Sequence, residues 1–493
     1  MRRALPFLVL SFVFIMLQVL PFTLAACAAD AQHEFAGFLI NPTDGFSYLA
    51  KMRQGFDGQW SFVLPYTAQP GEGAAINLYY LLLGHLARGL GWGLIFTFHV
   101  ARVVGAVALC AALYRLIAAA LPPRLQVWAF GLALFGSGLG WFAVLFGGFT
   151  SDFWVAEAYP FLAGLANAHF PLGLALQIYV ISPARQPRPA AWALASLALA
   201  VVYPFGWALA AAVLVGMVLL ARLWRQPARG QGQQAACVLL PGLPYAAYAL
   251  WVVYSHPVLA GWNAQNLTPA MPLWNFVVSF SPALLLALPG AYLAWKQRSM
   301  SLGLLAVWLA ASIVLLYAPF GLQRRLITGL YVPVAVLAVY AAAQFLTSRL
   351  RLALTALVML ALPTNLFVLL GMAQAIQQQQ PALYLHEDEL AAYAWLDERA
   401  APGALVLAPE RNGLHLPAFA HVRVWYGHPF ETVQAEQRQA ELHAFFADPA
   451  GQADFLRQHG FEYALLANSA IGPDGWASVF RQGSIEIWAR DEQ

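Results

Sequence analysis

The sequence predicts an all-α polytopic membrane protein of about eleven transmembrane helices, followed by a small α/β domain. Of its 493 residues, 61% are hydrophobic and 10% are charged, whereas soluble globular domains carry about 25% charged residues. Apolar runs long enough to cross about 30 Å of hydrocarbon recur along most of the chain. The composition becomes that of a soluble domain near residue 377. We therefore predict a multispan domain, residues 1–376, and a second domain, residues 377–493.

The first apolar run, residues 4–26, sets the predicted orientation. Arg2 and Arg3 precede it, so the positive-inside rule places the N-terminus in the cytoplasm. The run at residues 190–224 is interrupted at Tyr203-Pro204 and is predicted to be a hairpin of two short helices. The other predicted spans cover residues 93–118, 126–148, 160–181, 235–254, 273–295, 301–318, 326–346 and 352–372. Eleven spans place the second domain outside the cytoplasm.

Two short motifs invite other interpretations. The segment Gly136-Ser137-Gly138-Leu139-Gly140 looks like a nucleotide-binding loop, but no strand precedes it. We expect small-residue packing within a helix instead. The segment Leu24–Cys27 looks like a lipoprotein cleavage box, and the alternative is a first span that stays attached. The net charge of +3 gives no sign of a nucleic-acid partner.

The polar segment Asn41–Trp60 stands out in the first predicted external loop, residues 28–92. Among apolar helices, such a segment is expected at the membrane surface or in a wet cavity. Its main candidate for chemistry is Asp44. Because Asp44 precedes a helix-like run, it can also be a helix cap. Lys51 and Arg53 are expected to face solvent or lipid headgroups.

Further ionisable residues gather in the second predicted external loop, residues 149–160, and at Arg324-Arg325. The loop carries Asp152 and Glu157, and His169 follows in the next predicted span. The arginine pair lies where the positive-inside rule expects few cations, which favours phosphate binding. Structural alternatives exist for each group. Glu157 can interact with the N-terminal dipole of the following helix, and His169 can form a hydrogen bond between helices. The two arginines can snorkel at a helix end or pair with acids of the second domain.

Residues 377–493 alternate between helix and strand patterns, which is typical of a compact α/β module. The predicted helices are Glu387–Arg399 and one near Glu431–Phe446. The predicted strands are residues 404–408, 422–426, 463–467 and 484–489. Its histidines lack metal-ligand spacing and are expected to face solvent or interfaces. They are His415, His421, His428, His443 and His459.

These features resemble the GT-C superfamily of integral-membrane glycosyltransferases, which take sugars from polyprenyl-phosphate-linked donors. In that family the first external loop holds an essential acid, the second supplies further acids, and a soluble domain often follows the last span. Asp44, within Asp44-Gly45-Phe46-Ser47-Tyr48, matches the first acid, and Asp152 and Glu157 match the others by position. More specifically, the chain resembles uncharacterised bacterial multispan proteins of this class. The segments that carry this likeness are Asp44–Gly55, Tyr79–Arg88, Gln323–Leu330 and Trp425–His428.

The resemblance implies transfer of a sugar from a polyprenyl phosphate to a hydroxyl of a glycan, lipid or protein acceptor. The reaction would take place at the external face of the bacterial cytoplasmic membrane, as part of cell-envelope synthesis. Asp44 would be the general base, and Arg324 and Arg325 would bind the donor phosphate. A divalent cation, Mg²⁺ or Mn²⁺, would be held by Asp44 and Glu157. The other substrate-binding candidates are Asp152, Glu157, His169 and Tyr48.

Two other functions remain open from the sequence. A transporter or flippase of a lipid-linked or polar solute predicts polar residues at mid-membrane depth and often internal repeats. The spans offer few such residues beyond Asn167, His169 and Gln177. A non-catalytic membrane assembly protein, whose α/β module binds a partner, is favoured if Asp44 only caps a helix.

Overall fold

The computed structural model describes residues 4–183, 186–467 and 474–490. The chain groups into two compact units. The first unit contains Met1–Thr23, His99–Ala247 and Thr268–Gln374, and the second contains Leu24–Phe98, Tyr248–Leu267 and Ala375–Gln493. Arg2 and Arg3, on which the predicted N-terminal orientation depends, lie outside the described residues.

The chain is mostly helical. In chain order, the helices are α1 (Leu5–Cys27), α2 (Pro42–Phe56), α3 (Leu78–Leu90), α4 (Leu94–Ala120), α5 (Pro123–Phe135), α6 (Gly140–Val144), α7 (Pro160–Leu165), α8 (His169–Ile181), α9 (Pro189–Val202), α10 (Pro204–Leu223) and α11 (Arg229–Ser255). They continue with α12 (Pro257–Gln265), α13 (Leu273–Phe280), α14 (Ala283–Lys296), α15 (Met300–Leu316), α16 (Tyr331–Phe345), α17 (Leu350–Ala361), α18 (Pro363–Gln377), α19 (Glu387–Arg399), α20 (Glu410–Phe419), α21 (Ala435–Ala447) and α22 (Gln452–His459).

Several helices have the length and composition of membrane spans. Within the described ranges, five are long and apolar enough to cross a bilayer: α1, α4, α10, α11 and the segment Thr347–Gln377 that contains α17 and α18. The pair α13 and α14 adds a sixth candidate, bent by 87°. Shorter apolar helices are α8, α9, α15 and α16. The chain is thus a multi-pass membrane protein, and the count of about eleven spans stays a prediction.

Helix breaks divide several of the predicted spans. The predicted break at Tyr203 is confirmed, because α9 ends at Val202 and Pro204 begins α10. The prediction that the Gly136–Gly140 segment lies within a helix is wrong, because α5 ends at Phe135 and the chain is extended at Gly136. A side chain at position 138 would place its Cβ 2.1 Å from the Ser279 carbonyl oxygen. The glycine therefore permits a close backbone approach at the break.

A buried arginine joins three helices of the first unit. Arg102 on α4 is 1% exposed. Its guanidinium donates to the carbonyl oxygen of Gln18 on α1 at 2.8 Å and to that of Gly164 on α7 at 2.6 Å. Gly164 lies in the last turn of α7, where carbonyl groups need partners from outside the helix. Arg102 therefore has a structural role in holding α1 and α7 against α4.

The second unit is built around a close crossing of α2 and α3. A Cβ at Gly55 would lie 2.1 Å from the Leu81 carbonyl oxygen, and one at Gly84 would lie 1.9 Å from the Met52 carbonyl oxygen. The two glycines therefore let the backbones touch.

Two sheets complete the second unit. Strands β1 (His33–Phe35) and β2 (Tyr384–His386) pair antiparallel. The larger sheet consists of β3 (Ala404–Leu407), β4 (Val422–Val424), β5 (Tyr463–Ala467), β6 (Trp476–Gln482) and β7 (Ile485–Arg490), in the order β4-β3-β5-β7-β6. Strand β3 pairs parallel with β4 and β5, and β7 pairs antiparallel with β5 and β6. An apolar cluster that includes Leu405, Trp425, Phe445, Phe461 and Leu466 packs around this sheet.

The C-terminal elements match the predicted positions in part. The predicted strands coincide with β3, β4, β5 and β7, and the predicted helix Glu387–Arg399 coincides with α19. Helix α21 begins later than predicted, at Ala435. Helices α20 and α22 and strand β6 have no predicted counterpart. Gly413 and Pro417 inside α20 weaken its helical pattern, which explains that omission.

Candidate active site

Asp44 lies in the first turn of α2. The helix begins at Pro42, and its N-cap residue is Asn41 in the left-handed region, with φ 51°. The interpretation of Asp44 as the helix cap is therefore wrong. The Asn41 side-chain amide donates to Asp44 Oδ2 at 2.5 Å. A carboxylate in this position also benefits from the positive end of the helix dipole.

The residues after Asp44 fix the helix in the second unit. Gly45 faces the Phe38 ring so closely that a Cβ would lie 2.4 Å from ring atoms. Phe46 is fully buried, with its ring centroid 4.2 Å from that of His415 on α20. These contacts hold the start of α2 while the Asp44 side chain keeps 38% of its surface exposed. Asp44 thus combines a fixed backbone with an accessible carboxylate.

The turn His428–Thr432 of the C-terminal segment faces α2. His428 Nε2 lies 3.6 Å from Asp44 Oδ1. Ser47 Oγ donates to Glu431 Oε1 at 2.6 Å, and Lys51 Nζ is 2.7 Å from the same oxygen. Asp44, Ser47 and Lys51 are spaced three and four residues apart and share one face of α2. That face meets the turn through polar contacts.

Burial and ion pairing act in opposite directions on Glu431. Burial raises the pKa of its carboxyl, whereas the charge of Lys51 and hydrogen bonds from Lys51 and Ser47 lower it. The net pKa lies below the ordinary value. The expectation that Lys51 faces solvent or headgroups is wrong, since it is 2% exposed. The partner of Lys51, Glu431, lies 380 positions away in the sequence.

Tyr48, predicted to bind substrate, lies in α2 one turn after Asp44. Its ring stacks on that of Tyr80 at 4.2 Å between centroids. Lys51 Nζ lies 5.0 Å from the same ring centroid. Tyr48 is partly exposed, and the substrate-binding role stays a prediction.

Arg53 belongs to a second polar cluster in this unit. Its guanidinium contacts Asp57 Oδ1 at 3.0 Å and Asp397 Oδ1 at 2.5 Å. His421 Nδ1 lies 3.3 Å from Asp57 Oδ2. The side chain of Arg53 is 18% exposed, so the expectation of a solvated arginine is wrong. Arg53 and His421 line a cavity of about 420 Å³.

In the first unit, Asp152 is fully buried. Its Oδ2 accepts from the backbone amides of Gly138 at 3.2 Å and Gly140 at 2.9 Å, and Thr150 Oγ1 donates to Oδ1 at 2.6 Å. Burial raises the pKa of this carboxyl, and the hydrogen bonds partly offset that rise. Asp152 therefore holds the helix break in place. Its substrate-binding role stays a prediction that this geometry does not favour.

Glu157 and Arg324 come together in the first unit. Arg324 Nε lies 3.9 Å from Glu157 Oε1, and its guanidinium lies 4.5 Å from the Trp154 ring centroid. The Arg324 side chain is 21% exposed and the Glu157 side chain is 13% exposed. The Glu157 carbonyl oxygen accepts from the Gly329 amide at 2.7 Å. The Arg324 guanidinium is therefore largely buried beside the Glu157 carboxylate, at a distance longer than a hydrogen bond.

Arg325 and His169 contact neighbouring aromatic side chains. The Arg325 guanidinium lies 5.6 Å from the ring centroid of Phe205. The His169 ring, 7% exposed, lies 5.4 Å from that of Tyr203. Tyr203 and Phe205 are themselves edge-on neighbours at 6.5 Å. Both predicted binding residues therefore flank the break that begins α10.

No group of three or more His, Cys, Asp or Glu side chains within the described parts of the chain could hold a metal ion. The predicted cation bound by Asp44 and Glu157 therefore has no ligand cluster among these residues. It stays a prediction, and no chemical step below depends on it.

Two residues that face α2, namely His428 and Glu431, were not predicted from the sequence as site residues. Of the C-terminal histidines expected to face solvent or interfaces, His428 and His415 are 1% and 3% exposed, and both lie against α2 of the first predicted external loop. One available signal was the pattern His428-Pro429-Phe430-Glu431-Thr432, a polar turn between a strand and a helix. Nothing in that pattern indicates contact with residues near position 44.

Comparisons with known proteins identify the fold. No protein-family model and no curated protein matches the sequence. The Archaeoglobus fulgidus oligosaccharyltransferase, solved with Zn and sulfate, matches with a TM-score of 0.57 at 14% identity, over 94% of this chain and 68% of that chain. ArnT from Cupriavidus metallidurans, bound to undecaprenyl phosphate, matches with a TM-score of 0.54 at 12% identity, over 96% of this chain and 97% of that chain.

A third match is the arabinofuranosyltransferase AftD from Mycobacteria, with a TM-score of 0.54 at 16% identity. The matched region covers 97% of this chain and 40% of AftD. At such identities the likeness concerns the fold alone. The chain has the GT-C fold of integral-membrane glycosyltransferases.

Proposed function

We propose that this protein is a glycosyltransferase that moves a sugar from a polyprenyl-phosphate-linked donor to an acceptor hydroxyl. The fold match to ArnT extends over nearly the full length of both chains. ArnT was solved with undecaprenyl phosphate, and the archaeal oligosaccharyltransferase AglB was solved with a dolichol phosphate. Both ligands consist of a long apolar chain with a phosphate, which suits a protein with several apolar spans.

The single observation that carries the catalytic proposal is the exposure and hydrogen bonding of the Asp44 carboxylate. Its carboxylate is accessible, lies at a helix N-terminus and is held by the Asn41 amide. In the proposed reaction, Asp44 takes the proton of the acceptor hydroxyl as its oxygen attacks the anomeric carbon. The bond from that carbon to the phosphate oxygen breaks, and its electron pair leaves with the polyprenyl phosphate. Direct displacement inverts the anomeric centre.

Arg324 is proposed to bind the donor phosphate. Guanidinium groups meet phosphate oxygens in bidentate geometry. Arg324 Nε lies 3.9 Å from Glu157 Oε1, which is longer than a hydrogen bond, and the Arg324 side chain keeps 21% of its surface exposed. Arg325, Glu157, His169 and Tyr48 are proposed to assist in binding donor or acceptor.

The proposed location is the bacterial cytoplasmic membrane, with the N-terminus in the cytoplasm. Residues 377–493 would then lie outside the cytoplasm, where lipid-linked sugars are used to build the cell envelope. The proposed acceptor is a glycan, lipid or protein.

The test is Asp44→Asn in a strain that lacks the chromosomal copy. We expect loss of one surface glycan and accumulation of its polyprenyl-phosphate-linked sugar in lipid extracts, at unchanged protein abundance. Asp454→Asn is the matched control, because Asp454 is an exposed carboxylate of the same unit that pairs with its helix neighbour Arg457 at the surface. An unchanged glycan profile in Asp44→Asn contradicts the proposal.

The same strain separates transfer from transport. Detergent-solubilised membranes contain no closed compartments, so a transporter forms no glycosidic product in them. We expect membranes solubilised from the strain with the wild-type chain to convert the accumulated donor lipid into glycosylated acceptor and free polyprenyl phosphate, and membranes from the strain without the chain to leave it intact. If the chain is a transporter or an assembly protein, both solubilised preparations should convert the donor lipid equally.

A further inference from the structure

His428 lies in the polar turn between β4 and α21 and is 1% exposed. Its ring nitrogens have different surroundings. Nδ1 accepts from the backbone amides of Phe430 and Glu431, each at 3.1 Å. A nitrogen that accepts two amide hydrogens presents its lone pair and carries no proton. The neutral imidazole is therefore the tautomer with its hydrogen on Nε2.

The Nε2–H group of His428 is a buried donor that points towards α2. Among the residues that the structure describes, Nε2 has no partner within hydrogen-bond distance. A carboxylate oxygen, Asp44 Oδ1, is 3.6 Å away. Buried donors nearly always have acceptors, and catalytic hydrogen bonds are often long until substrate binds. A small rotation of the Asp44 side chain would complete this bond.

Both sides of this contact are fixed independently of it. Thr432 Oγ1 accepts from the amides of Gly427 and His428, at 3.3 and 3.1 Å. Gly427 packs directly on Gly413 of α20, where a Cβ would lie 2.3 Å from the Gly413 carbonyl oxygen. The turn is therefore rigid at both ends, and the imidazole cannot move away from α2 without breaking these contacts.

The α2 side is fixed by the Lys51–Glu431 pair and by Ser47. Glu431 follows His428 by three residues, and its amide is one of the two that bond to Nδ1. The ion pair therefore sets the distance between the turn and the helix face that carries Asp44. The Asp44 side chain keeps 38% of its surface exposed beside this contact.

We propose that His428 is a positioning residue for Asp44, donating from Nε2 to Oδ1 so that the other carboxylate oxygen faces the acceptor hydroxyl. This inference rests on the proposed function of Asp44 as general base. Asn41 holds Oδ2 and His428 holds Oδ1, so the carboxylate plane has one orientation. Each oxygen keeps a second lone pair, which leaves Oδ2 able to take the proton.

A purely structural role for His428 makes a different prediction. In that case the imidazole matters only through Nδ1, which caps the turn. An asparagine amide oxygen reaches the position of Nδ1, whereas a glutamine amide nitrogen reaches the position of Nε2. His428→Asn should therefore keep the turn and lose the donor to Asp44. His428→Gln should keep the donor and weaken the turn.

The experiment compares these two variants in the full-length chain, with His443→Asn as control. His443 lies in the same unit with 65% of its side chain exposed. In the strain without the chromosomal copy, each variant is induced from a plasmid. The readouts are the initial rate of surface-glycan appearance per amount of protein and the melting temperature of the purified chain in detergent.

We expect the two readouts to rank the variants in opposite order. His428→Asn should melt near the wild type but form glycan about ten- to hundredfold more slowly, the effect of losing a hydrogen bond to a charged group. His428→Gln should melt at a lower temperature but retain most of the rate per folded molecule. A wild-type rate in His428→Asn, or a lower rate in His428→Gln than in His428→Asn, overturns the inference.

Asp44→Asn separates this inference from the proposed function. If Asp44→Asn keeps the glycan, the proposed function fails. If Asp44→Asn loses the glycan while His428→Asn forms it normally, the function stands and the role of His428 fails. Should both His428 variants fail to fold, ¹⁵N-histidine spectra of the wild-type and Asp44→Asn chains decide. A shifted Nε2–H resonance in Asp44→Asn supports the contact, and identical spectra contradict it.

Discussion

Lys51 on α2 and Glu431 in the turn before α21 form a buried ion pair. Lys51 Nζ lies 2.7 Å from one carboxylate oxygen and 3.1 Å from the other. The two side chains are 3% and 12% exposed. Removing charges from water is costly, and here each charge offsets the desolvation of the other. This pair joins the first polar segment of the chain to its C-terminal segment.

Lys51→Met should destabilise the protein strongly, because it leaves the Glu431 carboxylate buried without a cation. Breaking a buried pair on one side costs about 3–5 kcal/mol. The double variant Lys51→Met/Glu431→Leu should regain most of that loss, since no uncompensated charge remains. Denaturant unfolding of the purified chain in detergent measures the effect. Equal stability of Lys51→Met and the wild type would show that the pair has little influence.

His415 should make the second unit sensitive to acid. Burial and the charge of Arg411 lower the pKa of its imidazole, against the opposing charge of Glu389, to about 3 from an ordinary value of 6.5. Between these values the unfolded chain binds a proton that the folded chain excludes, so stability falls as pH falls. The slope from this group is about 1.4 kcal/mol per pH unit.

Replacing His415 with phenylalanine should remove this contribution. His415 packs on Phe46, and Tyr393 keeps a hydrogen bond from Asn412 when the imidazole is gone. The melting temperature of His415→Phe should therefore decline less than that of the wild type between pH 6.5 and pH 4. Parallel declines in the two chains would show that another group controls the acid response.

Asp152→Asn should affect stability and leave catalysis intact. The carboxylate bonds to the amides of Gly138 and Gly140, and an asparagine weakens these charge-assisted bonds. The expected loss is about 1.5–3 kcal/mol. Glycan formation per folded molecule should match the wild type, because Asp152 is fully buried. A reduced rate at normal abundance would instead support the substrate-binding role predicted from the sequence.

Arg324→Gln should weaken binding of undecaprenyl phosphate. The proposed phosphate contact is a charge-assisted hydrogen bond, and its loss should raise Kd about ten- to hundredfold. Because the guanidinium lies 4.5 Å from the Trp154 ring, quenching of tryptophan fluorescence on lipid addition is a suitable signal. Arg298→Gln is the control, since Arg298 belongs to the exposed turn between α14 and α15. An unchanged Kd in Arg324→Gln contradicts the phosphate-binding role.

The sequence predicted those features that depend on neighbouring residues. The lengths of the apolar runs predict most of the helices of the first unit, and Pro204 predicts the break before α10. The short apolar and β-branched runs of the C-terminal residues predict the strands β3, β4, β5 and β7. A carboxylate is unusual next to apolar spans, and this makes Asp44 a candidate from the sequence alone. These arguments need only local periodicity and composition.

The sequence could not predict contacts between distant segments. Lys51 and Arg53 have the composition of a solvated helix face, and only the folded chain brings Glu431 and Asp397 to them. His428 lacked metal-ligand spacing, but its role is to cap a turn and face Asp44. The glycines near position 138 looked like helix-packing residues because their partner, the Asp152 carboxylate, comes from a later loop.

The crossing of α2 and α3 allows a test with two glycines of one helix. A Cβ at Gly84 would lie 1.9 Å from the Met52 carbonyl oxygen, so Gly84→Ala must push α3 away from α2. Overpacking of this kind costs about 1–3 kcal/mol. Gly89 is the matched control, because it is in the same helix and no atom of the residues that the structure describes lies within 4 Å of a Cβ built there. Gly89→Ala should be neutral or stabilise the helix by up to about 1 kcal/mol.

The two alanine variants should also differ in activity, because α2 carries Asp44. A displaced α2 changes the distance between Asp44 Oδ1 and His428 Nε2, which is 3.6 Å in the native structure. Gly84→Ala should therefore slow glycan formation per folded molecule, while Gly89→Ala should not. If Gly84→Ala lowers the melting temperature but leaves the rate unchanged, the crossing supports stability alone and Asp44 tolerates movement of its helix.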